Sequence, residues 1–399
     1  MKIGIIKEYK IPSDKRVVFS PKKCLFAKNL YPEIEFLIES SDVRCYSDDE
    51  YSNLGFKIVK DLSSADVLIG VKEVPIDKLI PNKKYFFFSH TIKKQPYNKN
   101  LLIAILNNNI DLFDHETIVD SKNNRLIGFG YYAGVVGAYN GFRTLGLKNS
   151  IYSLPKASDL KDRNELNLEL DKLKLPNIKI LLSGKGRVGS GAKEVLDYLN
   201  IRQVNVTDYL NNTYDHPVYT QIDVLDYNQR IDGKDLDRFD FYSNPSLYKS
   251  TFNKFSFVTD MFIAGHYFDK SAPKLITLED TRNNNFKISV IADISCDING
   301  PIVSTIRSST IKDPIYGFSA SLNSEVNFMN NDAIAVMAVD NLPCELPRDA
   351  SESFGEMFIS HVLPSFFNND KNGILSRSQM TYQKSLTNRF SYLSDYIIS

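Results

Sequence analysis

Short apolar runs recur along the chain, each followed by a turn or by residues with helical spacing. Lys2 to Ile6, Glu35 to Ile38, Asp66 to Val71, Tyr85 to Phe88, Asp111 to Asp114 and Leu126 to Phe129 each predict a strand. Pro21 opens a helix through Lys28, with proline in its favoured first-turn place. Tyr97 to Leu106 carries helical spacing between the later strands. Strands alternating with helices argue for a parallel sheet covered on both faces. A second series of apolar runs begins at Ile180-Leu181-Leu182 and continues at Arg202 to Thr207, Phe239 to Ser243, Ile288 to Ile291 and Ala333 to Val339. Between the two series, Ala133, Gly134, Gly137 and Ala138 fall three and four apart. On a helix they form a smooth packing stripe, as expected of a long helix joining two domains. Residues 149–176 read as an insertion, helical at Glu165 to Lys174 and closed by Pro176. Asp349 or Ser351 is placed to cap a C-terminal helix through Ser360.

The most informative stretch is Ile178 to Ala192, IKILLSGKGRVGSGA. An apolar run meets Gly184-Lys185-Gly186-Arg187-Val188-Gly189, and helical spacing follows from Lys193 to Asn200. Strand, glycine turn and helix in that order suit a dinucleotide. Gly184 permits the tight turn, Gly186 lets a pyrophosphate approach the backbone, and Gly189 lets helix and strand pack closely. The phosphates are expected on the helix N-terminus, where unpaired N–H groups and the dipole favour an anion. Asp208 ends the next predicted strand about 20 residues on, where a carboxylate binds a ribose 2′-hydroxyl and repels a 2′-phosphate. That reads as NAD. The fold class expected is α/β: two Rossmann-like doubly wound parallel-sheet domains with a cleft between them. The division expected is 1–133 plus 342–399 for the substrate domain and 134–341 for the NAD-binding domain.

Candidate chemistry gathers where the strands of the first series end. Lys72-Glu73 follows Val71, His90 lies two residues past Phe88, and Glu116 follows Asp114-His115. In open α/β sheets, ligands bind outside the carboxyl ends of the strands, so three successive strand ends bearing ionisable residues form a plausible site. The totals change little. Forty-eight basic and 48 acidic side chains cancel, which gives no footprint for nucleic acid or an anionic membrane. Cys24, Cys45, Cys296 and Cys344 lack any CxxC spacing and read as free thiols rather than metal ligands. The opening residues are too soon charged for a signal peptide, and no apolar run approaches a membrane span. A cytoplasmic protein is expected.

These stretches together resemble the alanine dehydrogenase and saccharopine dehydrogenase superfamily. KEYKIPSDKRVVFSP is similar to its N-terminal signature, GVKEVP at 70–75 and SHTIKKQ at 89–95 to the segments that carry its active-site lysine and histidine. FGYYAGVVGA at 129–138, DPIYGF at 313–318 and VDNLPCELPRDAS at 339–351 resemble the saccharopine branch. The resemblance implies an NAD-dependent oxidoreductase that interconverts saccharopine with lysine and 2-oxoglutarate. It implies Lys72 as amine base, His90 for the imine steps, and Arg16 as a carboxylate ligand, with Lys93 and Arg125 as further candidates. Glu73 and Glu116 would tune the pair or receive the lysine ammonium. Asp340 and Asn341 would lie near the nicotinamide ribose, and Asp297 near the hinge. An alanine dehydrogenase acting on pyruvate and ammonia, or a non-catalytic NAD-binding regulatory protein, are the alternatives. The resemblance assigns no role to the insertion at 149–176 or to the stretch around His266.

Overall fold

The computed structural model describes residues 1–398. The chain divides into two compact units, one of Met1–Phe129 with the chain from Pro347 onward, the other of Gly130–Leu346.

The first unit is built on six strands: β1 (Lys2–Ile5), β2 (Glu35–Glu39), β3 (Lys57–Val59), β4 (Val67–Lys72), β5 (Lys84–Phe88) and β6 (Asp111–Asp114). All pair in parallel, in the order β3-β2-β1-β4-β5-β6. Both faces are buried, which is why the strands read as nearly continuous apolar runs. Side-chain alternation divides β5 between the two cores. Phe86 and Phe88 join Phe354 and Phe358 of the Pro347–His361 helix, while Tyr85 and Phe87 join Leu101, Leu102 and Ile105 of the Lys99–Asn107 helix. The run Leu126–Phe129 forms no strand. Its end packs instead: the Phe129 ring stacks on Phe354 with centroids 4.4 Å apart. The Pro347–His361 helix begins at its proline, so Asp349 and Ser351 lie inside it rather than at a cap. The Ser351 hydroxyl donates to the Pro347 carbonyl and accepts the Val17 N–H, tying the helix to the N-terminal segment.

The second unit holds ten strands: β7 (Lys179–Ser183), β8 (Arg202–Gln203), β9 (Val218–Ile222), β10 (Asn228–Arg230), β11 (Tyr248–Ser250), β12 (Met261–Ala264), β13 (Val290–Asp293), β14 (Ile315–Ser319), β15 (Ser324–Val326) and β16 (Ile334–Met337). β10 and β11 form a separate hairpin, and the other eight make one sheet in the order β15-β14-β16-β13-β12-β7-β9-β8. This sheet is mixed rather than wholly parallel, because β14 and β15 run antiparallel to their neighbours at one edge. The small-residue stripe of the Gly130–Lys148 helix is a packing face. A Cβ on Gly134 would stand 2.0 Å from the Val188 carbonyl, and one on Gly191 would stand 1.9 Å from that of Tyr131. This helix and the Arg187–Tyr198 helix therefore approach backbone to backbone.

Two sequence expectations fail here for the same local reason, a side-chain cap that starts a helix. Of Arg202–Thr207 only two residues are strand. The Asn205 side chain accepts the Asp208 N–H and opens the Val206–Asn211 helix. Phe239–Ser243 lies within the helix Arg238–Ser243, capped by Asp237 accepting the Asp240 N–H. Strands β3, β9, β10, β11, β12, β14 and β15 lie outside the runs that predict strands. Among the described residues no helix is long and apolar enough to cross a membrane, and no disulfide joins the four cysteines.

Candidate functional site

In the first unit, β1 and β4 are neighbours although the chain leaves β1 on one side of the sheet and returns on the other. Ligands bind at such a switch point, beyond the carboxyl ends of the strands. Lys72 is the last residue of β4, at a register shift against β5. The Glu8 carboxylate, just past β1, accepts the N–H groups of both Val71 (2.6 Å) and Lys72 (2.8 Å). It thereby fixes the backbone from which the Lys72 side chain springs. Burial first, then the neighbouring Asp14 charge, pushes the Glu8 carboxyl up to about 8. Asp14 goes the other way. Burial opposes its charge, but the Arg16 guanidinium pairs with it through two hydrogen bonds (3.0 and 2.6 Å) and holds it down to about 2.

His90 lies two residues past β5 in the left-handed region (φ 54°). Its Nδ1 is 3.9 Å from Glu116 Oε2, and Arg125 is 3.7 Å from the other Glu116 oxygen. Burial and the Lys72 charge lower the His90 pKa, against the pull of Glu116 and Glu73. Burial favours a neutral Glu73, but the hydrogen bond and charge of Lys10 outweigh it and hold the carboxyl below its usual range. Lys72, Glu73, His90, Glu116 and Arg125 are therefore gathered, with Lys10 and Asp14 added to them. Arg16 is buried and gives two donors to Asp14, while its guanidinium also lies 4.2 Å from the Phe129 ring centroid. Arg125, with 40% of its side chain exposed, is the more accessible guanidinium. Lys93 is exposed in the following turn, and no ion pair joins it to the others among the described residues.

Beneath this group lie two residues that the sequence reading passed over. Asp114, buried and bonded to the Ser89 N–H and hydroxyl, is pushed up to about 6 chiefly by burial. His115, also buried, meets the Gly70 carbonyl at 2.9 Å and is pushed down to about 3 by burial. Both sit inside the motif already quoted, but only burial sets their behaviour.

In the second unit the carboxyl ends of β7, β9, β12, β13 and β16 share one edge, since these strands are parallel. Gly184 takes φ +92°, and a Cβ there would stand 2.4 Å from the Gly265 carbonyl. A Cβ on Gly189 would stand 2.0 Å from the Gly184 carbonyl, so helix and turn touch through backbone. A Cβ on Gly186 would meet nothing within 4 Å, and Gly186 caps the Arg187–Tyr198 helix without a side-chain hydrogen bond. Val188 lies between Gly130 and Gly265, and Arg187 is exposed at the first helical position. An open helix N-terminus behind a glycine turn is what a pyrophosphate needs, and these residues fit a dinucleotide. Asp297 follows β13 by four residues, while Asp340, which is exposed, and Asn341 follow β16 by three and four.

Asp208 does not reach this edge through a strand end. It is exposed in the first turn of the Val206–Asn211 helix and accepts from the Asn205 side chain. The strand beside β7 is β9, because β8 lies outside it at the sheet edge. Asp223, directly after β9, occupies the strand-end position expected of a ribose carboxylate. The Gly184 N–H donates to the Ile222 carbonyl (2.9 Å) and the Gln221 side chain donates to the Gly184 carbonyl (2.8 Å), which ties β9 to the turn. Close by is a cavity of about 180 Å³ lined by Val224, Tyr227, Phe241, Tyr242 and His266 among others. Its His266 accepts or donates at 2.7 Å to Ser183, the last residue of β7, and is pushed down to about 4 by burial. The His266 Nε2 has no partner.

Residues 4–136 match the family described as alanine dehydrogenase/PNT, N-terminal domain. The chain is 27% identical to an alpha-aminoadipic semialdehyde synthase of Arabidopsis thaliana, over 98% of this chain and 41% of that protein. It thus spans about two fifths of the length of that relative. It is 24% identical to the saccharopine dehydrogenase [NAD(+), L-lysine-forming] of Yarrowia lipolytica, over 82% of this chain and 83% of the relative. Among solved structures, an L-alanine dehydrogenase superposes over the whole of both chains with a TM-score of 0.66 at 15% identity, a likeness of fold.

Proposed function

We propose, from its similarity to the alanine dehydrogenase/PNT N-terminal domain, to an alpha-aminoadipic semialdehyde synthase and to a saccharopine dehydrogenase, that the chain belongs to the saccharopine dehydrogenase branch of that superfamily and is an NAD-dependent oxidoreductase. It interconverts saccharopine with lysine and 2-oxoglutarate. The observation that carries this reading is the gathering of Lys72, Glu73, His90 and Glu116 at the ends of three adjacent strands. The substrate is a secondary amine flanked by carboxylates, and its oxidation needs a base, an acid/base for water addition, and cations.

Lys72 removes the proton from the secondary amine as the carbon–nitrogen bond becomes an imine. NAD, when bound, would supply the hydride acceptor for this oxidation, and the glycine turn at Gly184–Gly189 with the N-terminus of the Arg187–Tyr198 helix would hold its pyrophosphate. His90, kept neutral by burial and by the Lys72 charge, takes a proton from water as it adds to the imine carbon. It returns that proton when the carbon–nitrogen bond breaks, releasing lysine and 2-oxoglutarate. Arg125 receives a carboxylate, since Arg16 is committed to Asp14. Glu116 sits between His90 and Arg125, where it holds both in place. Positioning supplies most of the effect.

The test follows nicotinamide absorbance with saccharopine plus NAD, with lysine plus 2-oxoglutarate plus NADH, and with alanine plus NAD. Turnover of the first two pairs with alanine inert is expected. Alanine turnover alone overturns the substrate, and nucleotide binding without any turnover overturns the enzyme reading.

A further inference from the structure

His90 and Glu116 stand at neighbouring strand ends, and a single carboxyl beneath them holds both pieces of chain. Asp114, the last residue of β6, is wholly buried. Its Oδ2 accepts the Ser89 N–H at 2.9 Å and also the Ser89 hydroxyl, while its Oδ1 accepts the Glu116 N–H at 2.7 Å. Ser89 directly precedes His90. One oxygen therefore grips the segment that carries the imidazole, and the other grips the segment that carries its carboxylate partner. Ser89 is anchored again through its carbonyl, which accepts from the Asn98 side chain at 2.8 Å, and through its hydroxyl, 2.7 Å from that of Thr91. Ser89, Thr91 and Asn98 are buried as well.

A turn that merely ended β6 would need the Glu116 bond alone. The two bonds to Ser89 cross to the segment that follows β5 and reach the residue before a strained one. His90 has φ 54°, a conformation that a non-glycine residue keeps only where its surroundings over-determine it. The His90–Glu116 separation of 3.9 Å is longer than a hydrogen bond. The pair is therefore held at that distance by the chain on either side, not by its own contact.

Resting on the proposed function above, we infer that Asp114 is a positioning residue for that reaction. Through Ser89 and the Glu116 N–H it sets the separation of His90 and Glu116, without itself meeting substrate. Asparagine at this position keeps the shape but turns an amide NH2 toward one of the two gripped segments, where a donor then meets a donor. As the two residues drift apart, the field of Glu116 on the imidazole weakens.

Two readouts on the full chain separate this role from plain support of the fold. The first is the titration of His90, one of five histidines, followed by NMR and assigned through His90→Gln. Lys72, Glu116, Glu73 and Lys10 face its ring, and Glu116 and Tyr392 face Asp114. Glu116 favours the charged imidazole, so Asp114→Asn should lower the His90 pKa by a fraction of a unit. In a Glu116→Gln background it should lower it no further. The second readout is turnover of saccharopine with NAD. Asp114→Asn should reduce kcat by about ten- to a hundredfold with KM within about threefold, and in a His90→Gln background should add no more than about twofold. Ser89→Ala, which removes one of the three bonds and leaves both backbone bonds, should act in the same direction by less, and it carries the test if Asp114→Asn fails to fold. Equal losses of kcat with and without His90, or a His90 shift that persists without the Glu116 charge, overturn the inference. So does an Asp114→Asn variant with the wild-type kcat and His90 titration. If the wild type turns over no substrate pair, the proposed reaction falls, and the His90 titration still decides whether Asp114 couples the two residues.

Discussion

At the strand ends of the first unit, ionisable side chains are held against one another, and burial competes with charged partners to set their charge. Glu8 is pushed up to about 8 and Asp114 to about 6, while His115 falls to about 3. At the strand ends of the second unit the contacts that matter are between backbones: Gly184 against Gly265, Gly189 against Gly184, and an uncovered helix N-terminus above Gly186. The two units share a doubly wound plan, yet one presents titrating groups and the other a shaped surface. Substitutions in the first should therefore change rates and pH profiles. Those in the second should change affinity and stability, with little pH dependence.

The largest effect that would sharpen this contrast is Lys72→Met. Proton transfer by a positioned group contributes roughly 10²–10⁴ in rate, and the variant should lose turnover by that factor. Its NAD dissociation constant should stay within about twofold. Near-normal kcat would break the contrast, because the first unit would then hold no general base at that position.

Gly189→Ala is the counterpart in the second unit. Its Cβ has a carbonyl oxygen 2.0 Å away, and backbone yields less readily than a side chain. Overpacking of this kind costs about 3 kcal/mol at the upper end of its usual range, so chemical denaturation should show a loss of that order at any pH between 6 and 8. Nucleotide binding should fall with it. An alanine variant of unchanged stability and affinity would mean that the turn is not the close contact described.

Glu8 tests the pH half of the comparison. Its carboxyl titrates near 4.5 when unfolded and about 8 when folded. Between those values the folded chain holds a proton that the unfolded chain has released, so folding stability falls as pH rises through that window and levels off above it. From pH 6 to 8 the fall amounts to on the order of 2 kcal/mol. Glu8→Gln should remove that part of the slope, so that the wild-type urea midpoint falls relative to the variant's as pH climbs. A gap that is constant with pH would place the Glu8 carboxylate in water. Glu116→Gln should act on rate instead. Glu116 raises the His90 pKa against burial, so its loss should move the acid limb of the kcat/KM profile downward by a fraction of a pH unit. An upward shift would contradict the arrangement.

The sequence made the first unit legible because its strands are buried on both faces and its motifs end each of them. Lys72, Glu73, His90 and Glu116 fell where strand ends were expected. Glu8 did not stand out, because its importance lies in accepting the Val71 and Lys72 N–H groups, which no spacing reveals. In the second unit the glycine turn was equally plain, and the order of the strands beside it was not. β9 follows a short polar excursion with its own helix, and Asn205 and Asp237 start helices where apolar residues suggested strands. Counting about 20 residues forward from the glycines lands on Asp208. It does not reveal that β8 lies at the edge and β9 beside β7.

The smallest predicted effect follows from that difference and concerns Asp208. Counting places it at a ribose hydroxyl, and a carboxylate lost from such a contact would weaken NAD about tenfold, the loss of a charged hydrogen bond. Topology places it in the first turn of a six-residue helix, exposed, accepting from Asn205 and contributing no more than a favourable charge near a helix N-terminus. That contribution is typically about 0.3–1 kcal/mol and is screened by salt. Asp208→Ala should therefore leave the NAD dissociation constant within about twofold, with a small stability loss that shrinks as salt rises. The paired Asp223→Ser variant should weaken NAD clearly. If Asp208→Ala weakens NAD tenfold while Asp223→Ser does not, the ribose lies against the helix rather than the end of β9, and sequence spacing would be the better guide to this site than strand order.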